Sequence, residues 1–262
     1  MRKYIFGFFV CLFVTMPSYS DTTIHKVWVS ENLQSLSLIK KNVYFEDILE
    51  NCKLIYKYND TTFAIRRYFW KHGIYEQQHE DYVYKILRLT NDTLIISPEN
   101  EIAAGLIGNR ETYTFTDKKA LYKENLKFQK LFFTRSFGIA FSPTIKLAID
   151  SSGQVYFSSE PVPYFGRPDD LKGNFKGQLN EKQLADLIEM LKKSELDRLP
   201  IDLGLGIDCS YRYFKFYYDN KVKESEGCHS PRIIKPLIDY LILLSKSVKF
   251  EKIDDNYDFN QF

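Results

Sequence analysis

Between Asn42 and Gly177 the chain is written in short runs of β-branched and aromatic residues, each cut off by a polar turn, and this pattern points to antiparallel sheet. The early runs are Asn42 to Ile48, Lys53 to Tyr58, Phe63 to Trp70, Tyr82 to Leu89, Thr93 to Ser97 and Thr112 to Thr116. They are too short for helices and follow one another closely, as in a meander. Two of the turns are alike, Tyr58-Asn59-Asp60-Thr61-Thr62 and Thr90-Asn91-Asp92-Thr93-Leu94. Asn and Asp tolerate the left-handed backbone of tight hairpins. The same triplets match a glycosylation acceptor pattern, but turn chemistry explains them without modification. Aromatic residues make up 16% of the chain, and their place in these runs assigns them to cross-strand core pairs.

The pattern lapses into Lys, Asn and Glu around residues 118 to 128, and a boundary is expected there. Beyond it, Thr144 to Ile149 and Gln154 to Ser158 flank a turn at Asp150 to Gly153. Pro161, Pro163 and Pro168 mark an irregular loop, and Lys172 to Gly177 reads as a further strand. A helix then begins behind Asn180 as cap with Gln183 at the third helical position, and Leu184, Leu187, Ile188 and Leu191 form its apolar stripe. Tyr211 to Tyr218 and Lys221 to Glu226 form a long hairpin around Asp219 and Asn220. The last helix contains Leu237, Ile238, Leu241, Ile242 and Leu244, with Pro236 in its first turn.

The first twenty residues read as a cleavable export signal. Arg2 and Lys3 precede an apolar run from Tyr4 to Met16, and Ser18 and Ser20 are small residues placed for cleavage before Asp21. That run is shorter than the roughly 20 residues a membrane-spanning helix needs. No later stretch is long enough to span, so no transmembrane segment is expected after signal removal. Without Arg2 and Lys3, 34 of the 36 Lys and Arg remain against 34 Asp and Glu. A near-neutral chain with interleaved charges argues against a nucleic-acid partner. The expected layout is a signal peptide at 1–20, a β-rich domain at 21–125, an α+β domain at 126–250 and a tail at 251–262.

The second half carries a resemblance. Phe137-Gly138-Ile139-Ala140-Phe141-Ser142-Pro143, the strand from Thr144, the Asp150 to Gly153 turn, Lys172-Gly173-Asn174-Phe175 and the helix capped by Asn180 resemble, in that order, an uncharacterised domain of bacterial exported proteins. The likeness covers roughly residues 135 to 248. Ser142 stands where that family has a cysteine before the proline, so no role of that cysteine carries over. The first half is similar in general character to small lipocalin-like domains. Neither likeness implies an activity, a catalytic residue or a cofactor.

The mature chain keeps Cys52, Cys209 and Cys228 in what is expected to be an oxidising compartment. Cys209 and Cys228 bracket the long hairpin and are expected to pair. The alternatives are free thiols or a bond from Cys52 to either; left over, Cys52 reads as a buried small hydrophobe. With a two-residue turn at Asp219 and Asn220 the paired cysteines lie diagonal on one face; a four-residue loop puts them opposite.

Catalytic signals are thin. His25, His72, His79 and His229 are scattered, and His72, His79 and Glu80 read as a solvated loop, since their spacing fits no common zinc pattern. Cys228 and His229 are neighbours on a strand and point apart. Gly204-Leu205-Gly206 lacks the helix a phosphate loop needs. Ser136-Phe137-Gly138 lacks the turn of serine hydrolases, and Arg66 and Arg67 alternate faces, one of them placed to pair with a carboxylate. No catalytic residue, cofactor or metal is assigned. The chain is expected to be an α+β, exported, periplasmic or extracellular protein, with association to the cell envelope left open. Its leading role is non-catalytic binding of a protein, a glycan or an apolar ligand. The alternatives are a hydrolase assembled only in the fold and an inhibitor or immunity factor against a secreted toxin.

Overall fold

The computed structural model describes residues 24–39, 42–45, 52–56, 61–70, 77–136, 144–160, 172–206, 209–254, 257 and 259. The export signal with its Ser20–Asp21 cleavage point, Asn59 and Asp60, His72, the Phe137–Pro143 stretch and the three loop prolines lie outside them. The described residues form two antiparallel sheets and three helices, so the chain is mainly β with some helix, in keeping with an α+β description.

The first sheet contains β1 (Val27–Ser30), β2 (Ser35–Ile39), β3 (Asn42–Phe45), β4 (Cys52–Tyr56), β5 (Thr62–Trp70), β6 (Gln77–Leu89), β7 (Thr93–Pro98) and β8 (Tyr113–Asp117). Each strand pairs with the next, and β1 returns to β8 through Trp28↔Asp117, Val29↔Thr116 and Ser30↔Phe115, which closes the ring. Among the described residues, β3 and β4 meet through the pair Val43↔Cys52. Alternation explains the closure. Phe63 and Ile65 on β5, Tyr82, Tyr84 and Ile86 on β6, Leu94 and Ile96 on β7, and Tyr113 and Phe115 on β8 recur at every second residue and are buried in one cluster with Trp28 and Phe45. Eight strands leave an interior that such side chains fill. The Trp28 indole donates to the Ile24 carbonyl at 3.0 Å, so even the largest buried ring is satisfied.

β1 and β2 are too short and too rich in serine to stand out as strands in the sequence, and α1 (Glu101–Leu106), capped by Asn100, was not expected either. His79 and Glu80, read from the sequence as loop residues, lie instead on β6. Their strand is held by direct pairing with Tyr68 and Arg67 on β5, and a polar strand facing solvent has the composition of a loop.

The second sheet has the order β14-β13-β9-β10-β11-β12-β15, built from β9 (Phe128–Arg135), β10 (Thr144–Asp150), β11 (Gln154–Glu160), β12 (Gly173–Gln178), β13 (Arg212–Tyr218), β14 (Lys221–Gly227) and β15 (Phe250–Ile253). The β10–β11 turn is set by Asp150, whose Oδ1 accepts from the Ser152 amide and hydroxyl and from the Gln154 amide, while Gly153 supplies φ +81°. Asp219 and Asn220 both have positive φ, giving the two-residue hairpin turn between β13 and β14. β15 continues the sheet past residue 250, where a tail was expected to begin. Beyond it Tyr257 stacks on Tyr156 at 3.8 Å, and Phe259 meets Phe132.

One face of this sheet is covered by α2 (Glu181–Lys192) and α3 (Lys235–Ser247). α2 carries the expected capping box, with Asn180 Oδ1 accepting from the Gln183 amide and Gln183 Oε1 from the Asn180 amide. Leu187 and Leu191 are its buried residues, and Pro236 sits in the first turn of α3. Leu131, Phe133, Ile145, Leu147, Phe157, Phe214 and Phe216 meet these helices from the sheet. Val29 and Leu33 belong to this second core although they come from the β1 region, and the Arg198 guanidinium donates to the Ser30 carbonyl at 2.5 Å. These contacts fix the barrel against the helix-covered sheet.

Candidate functional site

At the end of the second sheet where β9 stops and β13 starts, several residues distant in sequence meet. The parallel bridge Asp202↔Glu226 lays the segment after Pro200 beside β14. Leu203 donates its amide to the Glu226 carbonyl, and His229 donates its amide to the Leu203 carbonyl. Glycine is required here for contact. A Cβ on Gly206 would lie 2.9 Å from His229 Nε2, and one on Gly227, which has φ +135°, would lie 2.6 Å from the Gly204 carbonyl oxygen. Gly206 and Gly227 are therefore the close-contact positions that let the 203–206 loop lie against His229 and the end of β14.

The sulfurs of Cys209 and Cys228 are at bonding distance, with Cα atoms 5.7 Å apart. The strand register runs from Tyr218↔Lys221 to Arg212↔Gly227, so the two cysteines lie diagonal to one another just beyond the hairpin. Cys52 is buried in the barrel cluster, and burial, opposed by the Arg67 charge, pushes its thiol up to about 11.

Around this staple lies a cleft of about 720 Å³ between the barrel and the helix-covered sheet. Asn32, Leu33 and Gln34 line it from the β1–β2 turn; Asp202 and Leu203, Arg212, Cys228 to Arg232 and the first turns of α3 line it from the other side. Arg212 Nη1 donates to the Cys228 carbonyl at 2.9 Å and contacts Ser230 Oγ at 3.4 Å. The Tyr211 hydroxyl donates to Glu226 at 2.6 Å, and that carboxylate pushes the phenol up to about 12. Asp239 is held by Lys235 at 2.9 Å. Ser136 is adjacent, its amide bonded to the Tyr211 carbonyl at 2.8 Å.

A second cleft of about 610 Å³ lies between β1, the turn after β8 and α2, lined by His25, Lys26, Asp117, Lys118, Tyr122 and Glu189 among others. Its charges are largely spent inside it. Lys26 pairs with Asp117 at 2.8 Å, Lys193 with Glu189 at 2.8 Å, and the Tyr122 hydroxyl donates to Glu189. Lys118 is pulled below its ordinary value by burial and then by the Lys193 charge.

The other residues singled out by sequence are dispersed. Arg66 forms a two-pronged pair with Asp81 directly across β5 and β6, at 2.6 and 2.7 Å, which is a structural tie between strands. Among the described residues no group of three or more His, Cys, Asp or Glu side chains is placed to hold a metal ion. None of the described helices is long and apolar enough to cross a membrane. Arg135 and Arg212 were missed by sequence reasoning; the only available signal was a charged residue ending each of two otherwise apolar alternations. No family model, no curated protein and no solved structure matches this chain.

Proposed function

We propose that this chain is an exported, non-catalytic binding protein that holds its partner in the cleft between barrel and sheet. The observation that carries the reading is that cleft: about 720 Å³, walled by residues from both parts of the fold and braced by the Cys209–Cys228 staple. A lipocalin-like use of the barrel, with a ligand in its interior, is set aside because Trp28, Phe63, Tyr84 and Phe115 already occupy that space. Export is supported by the leader pattern of residues 1–20 and by a cysteine pair that needs an oxidising compartment. Kinship with the exported-protein domain over residues 135–248 is part of the same proposal. It rests on the Asp150 turn, the Lys172-to-Phe175 strand start and the Asn180 cap.

The test fills the cleft. Asn32→Trp and Ser230→Trp each place an indole at its lining, and both variants are compared with the parent as bait in an envelope extract by quantitative mass spectrometry. A partner enriched by the parent and lost from both variants supports the reading. Capture that survives both substitutions but is lost on Leu87→Glu, an exposed barrel position, overturns it.

A further inference from the structure

The apolar alternations that build the helix-covered face end in arginine on two neighbouring strands. Leu131, Phe133 and Arg135 follow one another on that face of β9, and Phe216, Phe214 and Arg212 on that face of β13. The register puts Arg135 and Arg212 directly opposite. The Ser136 amide to Tyr211 carbonyl bond one step further makes the arginine step the closely spaced one, with Cα atoms about 4.5 Å apart. Like charges in that position repel.

Both arginines are half-buried, and among the described residues the Nε of each is buried without a hydrogen-bond partner. Burial pulls both below the ordinary arginine value; the charge of Arg212 adds to this at Arg135, while Asp239 opposes it at Arg212. Arginine nevertheless stays charged. Asp239 balances part of the charge at Arg212 and is itself bonded to Lys235, while Glu226 accepts from the Tyr211 hydroxyl and Asp202 from the Gly204 amide at 2.7 Å. Arg212 lines the cleft, and Arg135 lies directly across from it on β9, so two adjacent cations with unused Nε–H donors stand at this edge of the sheet.

We propose that Arg135 and Arg212 form a binding site for an oxyanion group, a carboxylate, phosphate or sulfate, whose oxygens take the guanidinium donors left unused within the fold. A guanidinium presents parallel N–H groups that match two oxygens of one such group. The bound charge also removes the cross-strand repulsion, so occupancy and stability rise together. This deepens the cleft reading and rests on it, since it names the chemical handle by which the cleft's ligand is held.

The experiment titrates the purified protein with sodium phosphate, sodium sulfate and sodium acetate, at constant ionic strength against sodium chloride, and follows the arginine Nε–H resonances by NMR. Arg135 and Arg212 are assigned by Arg135→Lys and Arg212→Lys, which keep the charge and lose the fork. The expected result is saturable movement of those two resonances and a rise in melting temperature with the anion, with affinity at least tenfold weaker in Arg135→Gln and in Arg212→Gln. A preference for phosphate and sulfate identifies a phosphoryl or sulfuryl group, and a preference for acetate a carboxylate. If none of the three moves the two resonances more than chloride does, the proposal is overturned. It is overturned equally if the double Gln variant binds as the parent does. Asn32→Trp separates this from the broader reading: loss of partner capture with anion binding intact leaves the arginine site standing, while failed anion binding with capture intact removes only the arginine site.

Discussion

The barrel and the seven-stranded sheet are both antiparallel and both alternate apolar with polar residues, yet their polar leftovers end up in different places. The barrel pairs every strand on both sides and turns its aromatic positions inward, so Trp28, Phe63, Tyr84 and Phe115 fill its interior. The sheet stays open and buries one face under α2 and α3. That cover ends near Phe133 and Phe214, and the next residues on the same face are Arg135 and Arg212. A closed sheet spends its inward positions on its own core. An open sheet leaves a rim, and here the rim holds the cysteine staple, His229 and the cleft.

The largest effect of a single substitution is expected in the barrel core. Trp28→Ala is expected to cost about 3–5 kcal/mol, read by urea unfolding, because it opens a large cavity in a filled interior. A loss below about 1 kcal/mol would mean that the barrel has room for a ligand. On the sheet side, replacing Cys209 and Cys228 together by Ala is expected to lower stability by about 3 kcal/mol through the lost cross-link. Adding reductant to the parent should reproduce that loss and leave the variant unchanged.

Smaller effects sharpen the contrast. Asn180→Ala removes the capping box of α2 and should cost about 1 kcal/mol, with Gln183→Ala taking a further part of the same contribution. The hairpin turn is tied to the body through Lys123, which bonds Asp197 at 2.7 Å and Asp219 at 3.2 Å. The Lys123 bond, ahead of the Tyr218 hydroxyl, holds Asp197 below the ordinary carboxylate range, and the Lys127 amide, ahead of Lys123, does so for Asp219. Depressed carboxylates stabilise the fold fully above their unfolded values near 4 and lose that contribution as pH falls through the folded ones. Lys123→Met should flatten this acid limb by less than about 1 kcal/mol, because the pairs are partly exposed. The barrel's Cys52 should resist iodoacetamide at pH 8 in the native state and react on unfolding, since burial raises it to about 11.

Local signals in the sequence carried the local elements. The two-residue turn at Asp219 and Asn220, the Asn180–Gln183 cap, the Asp150 turn and Pro236 in the first turn of α3 are all read within a few residues, and the structure contains each of them. β9 escaped notice because its first residues, Phe128 to Lys130, follow a charged interval and its alternation ends in Arg135. Barrel closure depends on β1 meeting β8, a pairing made across most of the first half of the chain. The candidate site was legible only in pieces. The Gly204-Leu205-Gly206 run, the Cys209–Cys228 pair and the Cys228-His229 neighbours stood out as separate features, but the Asp202↔Glu226 bridge that gathers them is not encoded in any short window. The Arg135 and Arg212 pairing joins strands separated by three others in sequence, so no spacing rule reaches it.

We propose that the partner meets this protein at the open rim of the sheet and not inside the barrel. Hydrogen–deuterium exchange of the protein with and without its captured partner tests this most directly. Slowed exchange is expected in the backbone amides of residues 201–206 and 228–242, with β4 to β6 unchanged. Protection confined to β4, β5 and β6, with the rim exchanging as in the free protein, would contradict it.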